Sequence, residues 1–227
     1  MKKSKNGTLN SAMFEYLRTQ ILTGRLQPGQ RLKVSSLAEQ HEVSLNVVRE
    51  ALNRLVGEQL VEIQPQQGFA VKGLSAEDLV DLVDQRILFE SIALRESIAR
   101  GDVQWQSSVV EAHHRLSRTP VALADDPEKL NPEWLARHEE FNFVMMEACG
   151  SPRLLQMVGK LVEAAAIYHR ALLPLISEDS ELETEHAAML DAILAGDADK
   201  AVSVLTAHLL QTRDMMLPML EAQAENQ

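Results

Sequence analysis

Apolar positions recur at intervals of three and four over most of this chain, the spacing that gathers side chains on one face of an α-helix. In residues 43–55, Val48, Ala51, Leu52 and Leu55 form one such stripe, while Asn46, Arg49, Glu50 and Asn53 fall away from it. Ser44 stands just before the stripe, where a hydroxyl caps the first free backbone amides. Upstream, the pattern predicts a helix over residues 10–23 that buries Phe14, Leu17 and Ile21. Gly24 ends it, and Gln27-Pro28-Gly29-Gln30 makes a turn. Ser36-Leu37-Ala38-Glu39 has the capping-box pattern and opens a short second helix to about His41. Alternation of apolar and polar residues appears over 60–64 and 69–72, on either side of Pro65-Gln66-Gln67-Gly68. That is the pattern of a hairpin. Three helices followed by a two-stranded wing predict a winged helix-turn-helix over residues 1–72. Its third helix turns amide and guanidinium groups outward, as chains do that read base edges in a major groove.

A short joint, residues 73–76, leads to a second domain over 77–227. Ser75 caps its first helix, with Glu77 and Asp78 in the opening turn. The remaining pattern is helical, with no strand-like alternation, and breaks at Gly101, Pro120, Pro127, Gly150, Ser177-Glu178 and Gly196. It predicts six helices, roughly 76–100, 103–117, 128–149, 152–175, 180–195 and 197–222, in an antiparallel all-α bundle. The fold class is therefore mainly α.

Four of these helices carry polar residues on the stripe that should be apolar. Arg86 and Glu90 lie with Leu79, Leu82 and Val83; His138 and Asn142 share the side of Leu135, Phe141 and Met145. His186 joins Leu182, Met189 and Ile193, and His208 follows Val204 and Leu205 by one turn. Buried polar groups are costly unless partnered. Their convergence on one cavity would satisfy them through a metal ion, an anion, or both. An intrahelical Arg86–Glu90 pair, and histidines simply hydrogen-bonded in the core, would account for the same pattern. His113 and His114 are adjacent and read as surface residues, and His169 as a support to the cavity or to the fold. His41, at the end of the second helix, is a candidate phosphate contact. The paired methionines 145–146 and 215–216 read as packing.

Charge sharpens the division. The net charge of −11 argues at first against nucleic acid. Residues 1–74, however, carry 10 Lys and Arg against 6 Asp and Glu, a net of +4, and residues 75–227 carry 12 against 27, a net of −15. A basic head on an acidic body suits a DNA-binding domain joined to a sensing one. No apolar run approaches the roughly 20 residues that span a bilayer, and the lysines near the start precede no apolar segment of a secretory signal. A single cysteine, Cys149, forms no internal disulfide, so a cytoplasmic protein without membrane contact is expected.

The run Gly24-Arg25-Leu26-Gln27-Pro28-Gly29, Leu37-Ala38-Glu39, Val43-Ser44, Val48-Arg49-Glu50-Ala51-Leu52 and Gly68-Phe69-Ala70-Val71 resembles the N-terminal domain of the GntR superfamily of bacterial transcription regulators. The body resembles the FCD effector domain of its FadR branch, on Arg86 and Glu90, residues 141–154, residues 185–201 and His208. The resemblance implies DNA contacts from Lys33, Ser44, Asn46, Arg49, Gln67 and Gly68, while Arg54 serves either DNA or structure. An internal ion pair of Arg49 with Glu50 or Glu58 is the competing account. It also implies an effector site at Arg86, Glu90, His138, Asn142, His186 and His208, with His138, Asn142, His186 and His208 as the metal set, zinc or nickel being the ions expected. Two departures stand out. Leu45 replaces an arginine usual after Val-Ser, and His138 and Asn142 replace the usual aspartate and histidine, so an effector carboxylate becomes a candidate source of the missing charge.

The expectation is a homodimeric regulator, a repressor rather than an enzyme, that binds duplex operator DNA and a small organic acid. The alternatives are a metal-dependent enzyme built on the histidine cluster and a constitutive DNA-binding dimer with a degenerate pocket.

Overall fold

The computed structural model describes residues 3–172 and 181–225. They fall into two compact units, 1–74 and 75–227.

In the first unit, α1 (Lys3–Leu22) packs on α3 (Leu45–Gly57), with α2 (Val34–Gln40) against the same helix. The predicted stripes meet there: Leu17, Ile21, Val48, Ala51, Leu52 and Leu55 are almost wholly buried. Ser44 caps α3 as expected, its hydroxyl accepting from the Val47 amide. Ser36 caps nothing. Helix α2 starts two residues before it, with Lys33 at the cap position and no side-chain cap bond, so Ser36 is an interior residue. The turn between α2 and α3 places Glu42 at a φ of 52°, a left-handed conformation that non-glycine residues adopt at some cost.

The wing is β2 (Val61–Gln64) and β3 (Gly68–Val71), antiparallel, with Gln64 opposite Gly68 at its tip. It has a third strand that the pattern did not show. Strand β1 (Arg31–Leu32) pairs with the outer side of β3, Arg31 opposite Ala70 and Leu32 opposite Phe69. Two residues are too few to display alternation, and the buried Leu32 is the trace they leave.

In the second unit, α4 (Ala76–Arg100) and α5 (Val103–Ser117) begin at side-chain caps, Ser75 and Asp102. The third predicted helix is shorter than expected. Residues 122–130 form a small hairpin, β4 (Ala122–Leu123) with β5 (Asp126–Leu130), so the body is not purely helical. Helix α6 (Pro132–Val144) then starts at the Asn131 cap with proline at its first position, and a 3-10 turn, Glu147–Cys149, follows it. Proline at 132 suits a helix start and is poorly placed inside one. Helix α7 (Pro152–Leu172) is followed by residues 173–180, which lie outside the described residues together with the expected break at Ser177-Glu178, as does the side chain of Leu182. Helices α8 (Glu181–Leu194) and α9 (Ala198–Glu225) complete the body. Helix α4 lies along α9 and α7, α8 along α9, and α5 against α6. The Tyr168 hydroxyl of α7 donates to Asp78 Oδ2 of α4 at 2.7 Å, tying two of these helices at one end.

Candidate functional site

Helix α3 presents Leu45, Asn46, Arg49, Glu50, Asn53 and Arg54 to solvent, opposite its buried stripe. The acids that would neutralise Arg49 are engaged elsewhere. Glu50 accepts from the Asn10 side-chain amide of α1, and Glu58 pairs with Arg18 at 3.3 Å. Arg49 therefore has no ion pair among the described residues, and its guanidinium fork stays available. Arg54 is less free, because its guanidinium carbon stacks 3.8 Å from the centre of the Phe14 ring. That favours structure over DNA for Arg54. Lys33 and Gln67 are exposed, and Gly68 adopts a φ of 90° at the wing tip, where no side chain intervenes between backbone and a partner. His41 is half-buried against the Tyr16 ring, with centroids 4.4 Å apart, which does not suit the phosphate contact expected of it.

In the body, the polar residues on the four stripes are all buried: Arg86, Glu90, His138, Asn142, His186 and His208 are at most 4% exposed. They come from α4, α6, α8 and α9. His138, His186 and His208 each offer a ring nitrogen, and these nitrogens lie within 4.8 Å of one another. The ring centres of His138 and His186, and of His186 and His208, are 5.0 Å apart. Trp134 stacks flat on His138 at 5.0 Å and holds the ring in place. Burial drives His186 and His169 down to about 3 and His138 well below the usual imidazole range, with neighbouring rings adding to the shift. These rings are neutral at physiological pH, the form that binds metal.

Partnering inside the cluster is incomplete. The Asn142 side-chain amide donates to His138 Nε2 at 3.2 Å, leaving Asn142 Oδ1 and His138 Nδ1 buried and unpartnered. His186 Nε2 is equally buried and unpartnered. Native interiors rarely leave such atoms without a partner. Three converging imidazoles, with His186 Nε2 and Asn142 Oδ1 orphaned among them, fit a divalent ion of the zinc or nickel kind. Arg86 is not open to an anion in the simple way expected: its Nε donates to Glu90 Oε1 at 2.6 Å and the second nitrogen approaches Oε2 at 3.4 Å. The intrahelical pair is formed, and its positive end still lowers His138 and His169.

Residues 9–71 match the family described as bacterial regulatory proteins, gntR family, and residues 81–211 match the FCD domain. The chain belongs to the GntR family of bacterial regulators. Among relatives of this FCD-bearing regulator, the HTH-type transcriptional regulator BphR of Paraburkholderia xenovorans (strain LB400) is 35% identical, covering 89% of this chain and 82% of its own length. The HTH-type transcriptional repressor GlaR of Escherichia coli (strain K12) is 32% identical, covering 87% of this chain and 90% of its own. Among solved structures, a transcriptional regulator GntR from Rhodococcus sp. RHA1 superposes with a TM-score of 0.76, covering 92% of this chain and 97% of the other at 22% identity. The protein is thus a transcription regulator and not an enzyme, which removes the metalloenzyme alternative. Glu139 and Glu140, the acids beside His138, pair with Arg170 at 2.9 Å and Arg137 at 3.0 Å. No described helix of this regulator is long and apolar enough to cross a membrane.

Two neighbours of the cluster, His113 and Glu185, escaped the pattern. His113 is half-buried rather than superficial, its ring edge 5.4 Å from Phe141 and its pKa lowered mainly by burial. Its place on the α5 stripe beside Val109 and Ala112 was the available signal. His169, read as a support to the cavity or to the fold, is buried with its ring 5.9 Å from His138. Glu185 hydrogen-bonds His208 across 23 positions of sequence, and no spacing rule reaches that far.

Proposed function

We propose that this regulator senses a small organic acid in its FCD domain beside a divalent metal ion held by His138, His186 and His208, and represses transcription as a homodimer. The observation that carries this is the buried convergence of those three imidazoles, with nitrogens within 4.8 Å and two of the rings left partly unpartnered. Asn142 is the candidate fourth ligand through its unpartnered Oδ1. A bound ion supplies a fixed positive charge in a low-dielectric cavity, which attracts a carboxylate. Because Glu90 already neutralises Arg86, this charge is the stronger anchor for an anion.

Residues 1–72 would form the reading head, residues 73–76 the joint, and residues 77–227 the sensing and dimerising domain. Asn46 and Arg49 on the free face of α3 would meet base edges, with Ser44, Lys33, Gln67 and Gly68 on backbone or groove. The relative named as a repressor, GlaR, supports repression. An acid that prefers one arrangement of the heads shifts the operator equilibrium by that preference and no more.

A gel shift on DNA flanking its own gene, with zinc or nickel and a panel of organic acids, tests the reading. Selective binding that an acid alters only in the metal-loaded protein is expected, and His186→Ala and His208→Ala should abolish that response while leaving DNA binding intact. No site-selective DNA binding would overturn it. Selective binding unaffected by every metal and acid would favour the constitutive dimer.

A further inference from the structure

Glu185 belongs to α8 and adjoins His186 in the chain, yet its carboxylate serves a different helix. Its Oε2 lies 2.7 Å from His208 Nδ1 on α9. The His208 side chain is 4% exposed and that of Glu185 19%, so water competes weakly for this bond. A carboxylate only accepts, so the ring proton sits on Nδ1 and donates. In the neutral ring the remaining lone pair is then on Nε2, the nitrogen free to serve the cluster. His208 enters the cluster with its tautomer already chosen.

The donor set gives that carboxylate a second task. His138, His186 and His208 are neutral donors, and the amide of Asn142 is neutral too. An ion of charge +2 would find no anion in its own shell. The other acids named near the cluster are committed to arginines: Glu90 to Arg86, Glu139 to Arg170, Glu140 to Arg115 and Arg137. Glu185, by contrast, hydrogen-bonds directly to a member of the histidine cluster. Hydrogen-bonding a ligand imidazole to a carboxylate raises its basicity and fixes its orientation.

We infer that Glu185 is a positioning residue for a divalent ion at His138, His186 and His208: it holds His208 with Nε2 free and supplies through the Nδ1 hydrogen bond the negative charge the donor set lacks. The inference rests on the reading that this cluster binds metal.

The test is zinc titration of the full-length protein against a chromophoric chelator, for the wild type, Glu185→Gln and Glu185→Ala. Glutamine keeps an acceptor for Nδ1–H and removes the charge; alanine removes both. Zinc affinity should fall about 10-fold in Glu185→Gln and towards about 100-fold in Glu185→Ala. Ring nitrogen-15 shifts of His208 in the metal-free proteins provide a readout that a merely structural role would not move. They should show the proton on Nδ1 in the wild type and Glu185→Gln, and a tautomer mixture in Glu185→Ala. If Glu185→Ala fails to fold, Glu185→Gln carries the decision alone. Equal zinc affinity in wild type and folded variants would overturn the role of Glu185 while leaving the metal centre standing. A wild type that takes up no zinc would overturn the centre and this inference together, and a wild-type His208 protonated on Nε2 would overturn the inference alone.

Discussion

Arg49 and Arg54 lie on one helix, five residues apart, and their surroundings give them different work. Arg54 rests on the Phe14 ring, whereas Arg49 has no partner among the described residues because Asn10 and Arg18 occupy the nearby acids. Replacing Arg49 should therefore leave the fold alone and act on DNA. Arg49→Ala is expected to weaken operator binding by about 1–3 kcal/mol if the contact is to a base edge. If the contact is to phosphate instead, the slope of log affinity against log salt should drop by about one unit. Gel shifts at several salt concentrations separate the two, and thermal melting should match the wild type. Unchanged affinity would remove Arg49 from the reading face. Leu45, 48% exposed at the start of α3, is a further candidate on that face, with an apolar side chain suited to a thymine methyl.

Elements were legible where their period was long enough to show. Most of the longer helices appear close to their predicted bounds because each carries several turns of stripe; α1 starts seven residues earlier than predicted and α6 is nine residues shorter. Strand β1 has two residues and no period; β4 and β5 occupy a stretch whose prolines read as breaks rather than pairing. The capping-box pattern at Ser36 misled because the same residues fit the interior of a helix that starts earlier. The Gly101 junction, a simple break in the apolar pattern, is more constrained than a break requires. A Cβ on Gly101, between α4 and α5, would overlap the Trp105 indole and crowd the Ser97 carbonyl. The indole is itself fixed by donating from Nε1 to the Val144 carbonyl at 2.9 Å. Gly101→Ala should destabilise the protein by about 1–3 kcal/mol, the usual cost of overpacking. Urea unfolding measures it, and a midpoint unchanged from wild type would show that Trp105 moves aside freely.

At the scale of the molecule, sequence pattern located the four polar stripes and offered the intrahelical Arg86–Glu90 pair, but not Glu185–His208, which depends on how two helices face each other. The pairing decides how stability depends on pH. His169 and His186 are held down to about 3 by burial, and His138 is also well below the usual range. In the unfolded chain each returns to about 6.5. Above that value neither state binds these protons and the three rings contribute nothing to the pH dependence. As pH falls below 6.5 the unfolded chain takes up protons that the native cluster refuses, so stability falls with pH until the native pKa values are reached. Glu139, raised by burial, works in the opposite direction, one group against three. Metal-free protein should therefore lose urea resistance between pH 7.5 and pH 5.5, and His186→Ala should lose less over the same interval. Zinc should add stability at pH 7.5, by about 2.7 kcal/mol at a free concentration 100 times its dissociation constant, and add progressively less as the pH drops, because protons compete for the same nitrogens. Urea midpoints measured with and without zinc at both pH values check this. A metal-free midpoint that stays level from pH 7.5 to pH 5.5 would mean that the imidazoles are not sealed from protons, and a chamber open to protons would not keep a metal-bound anion away from water.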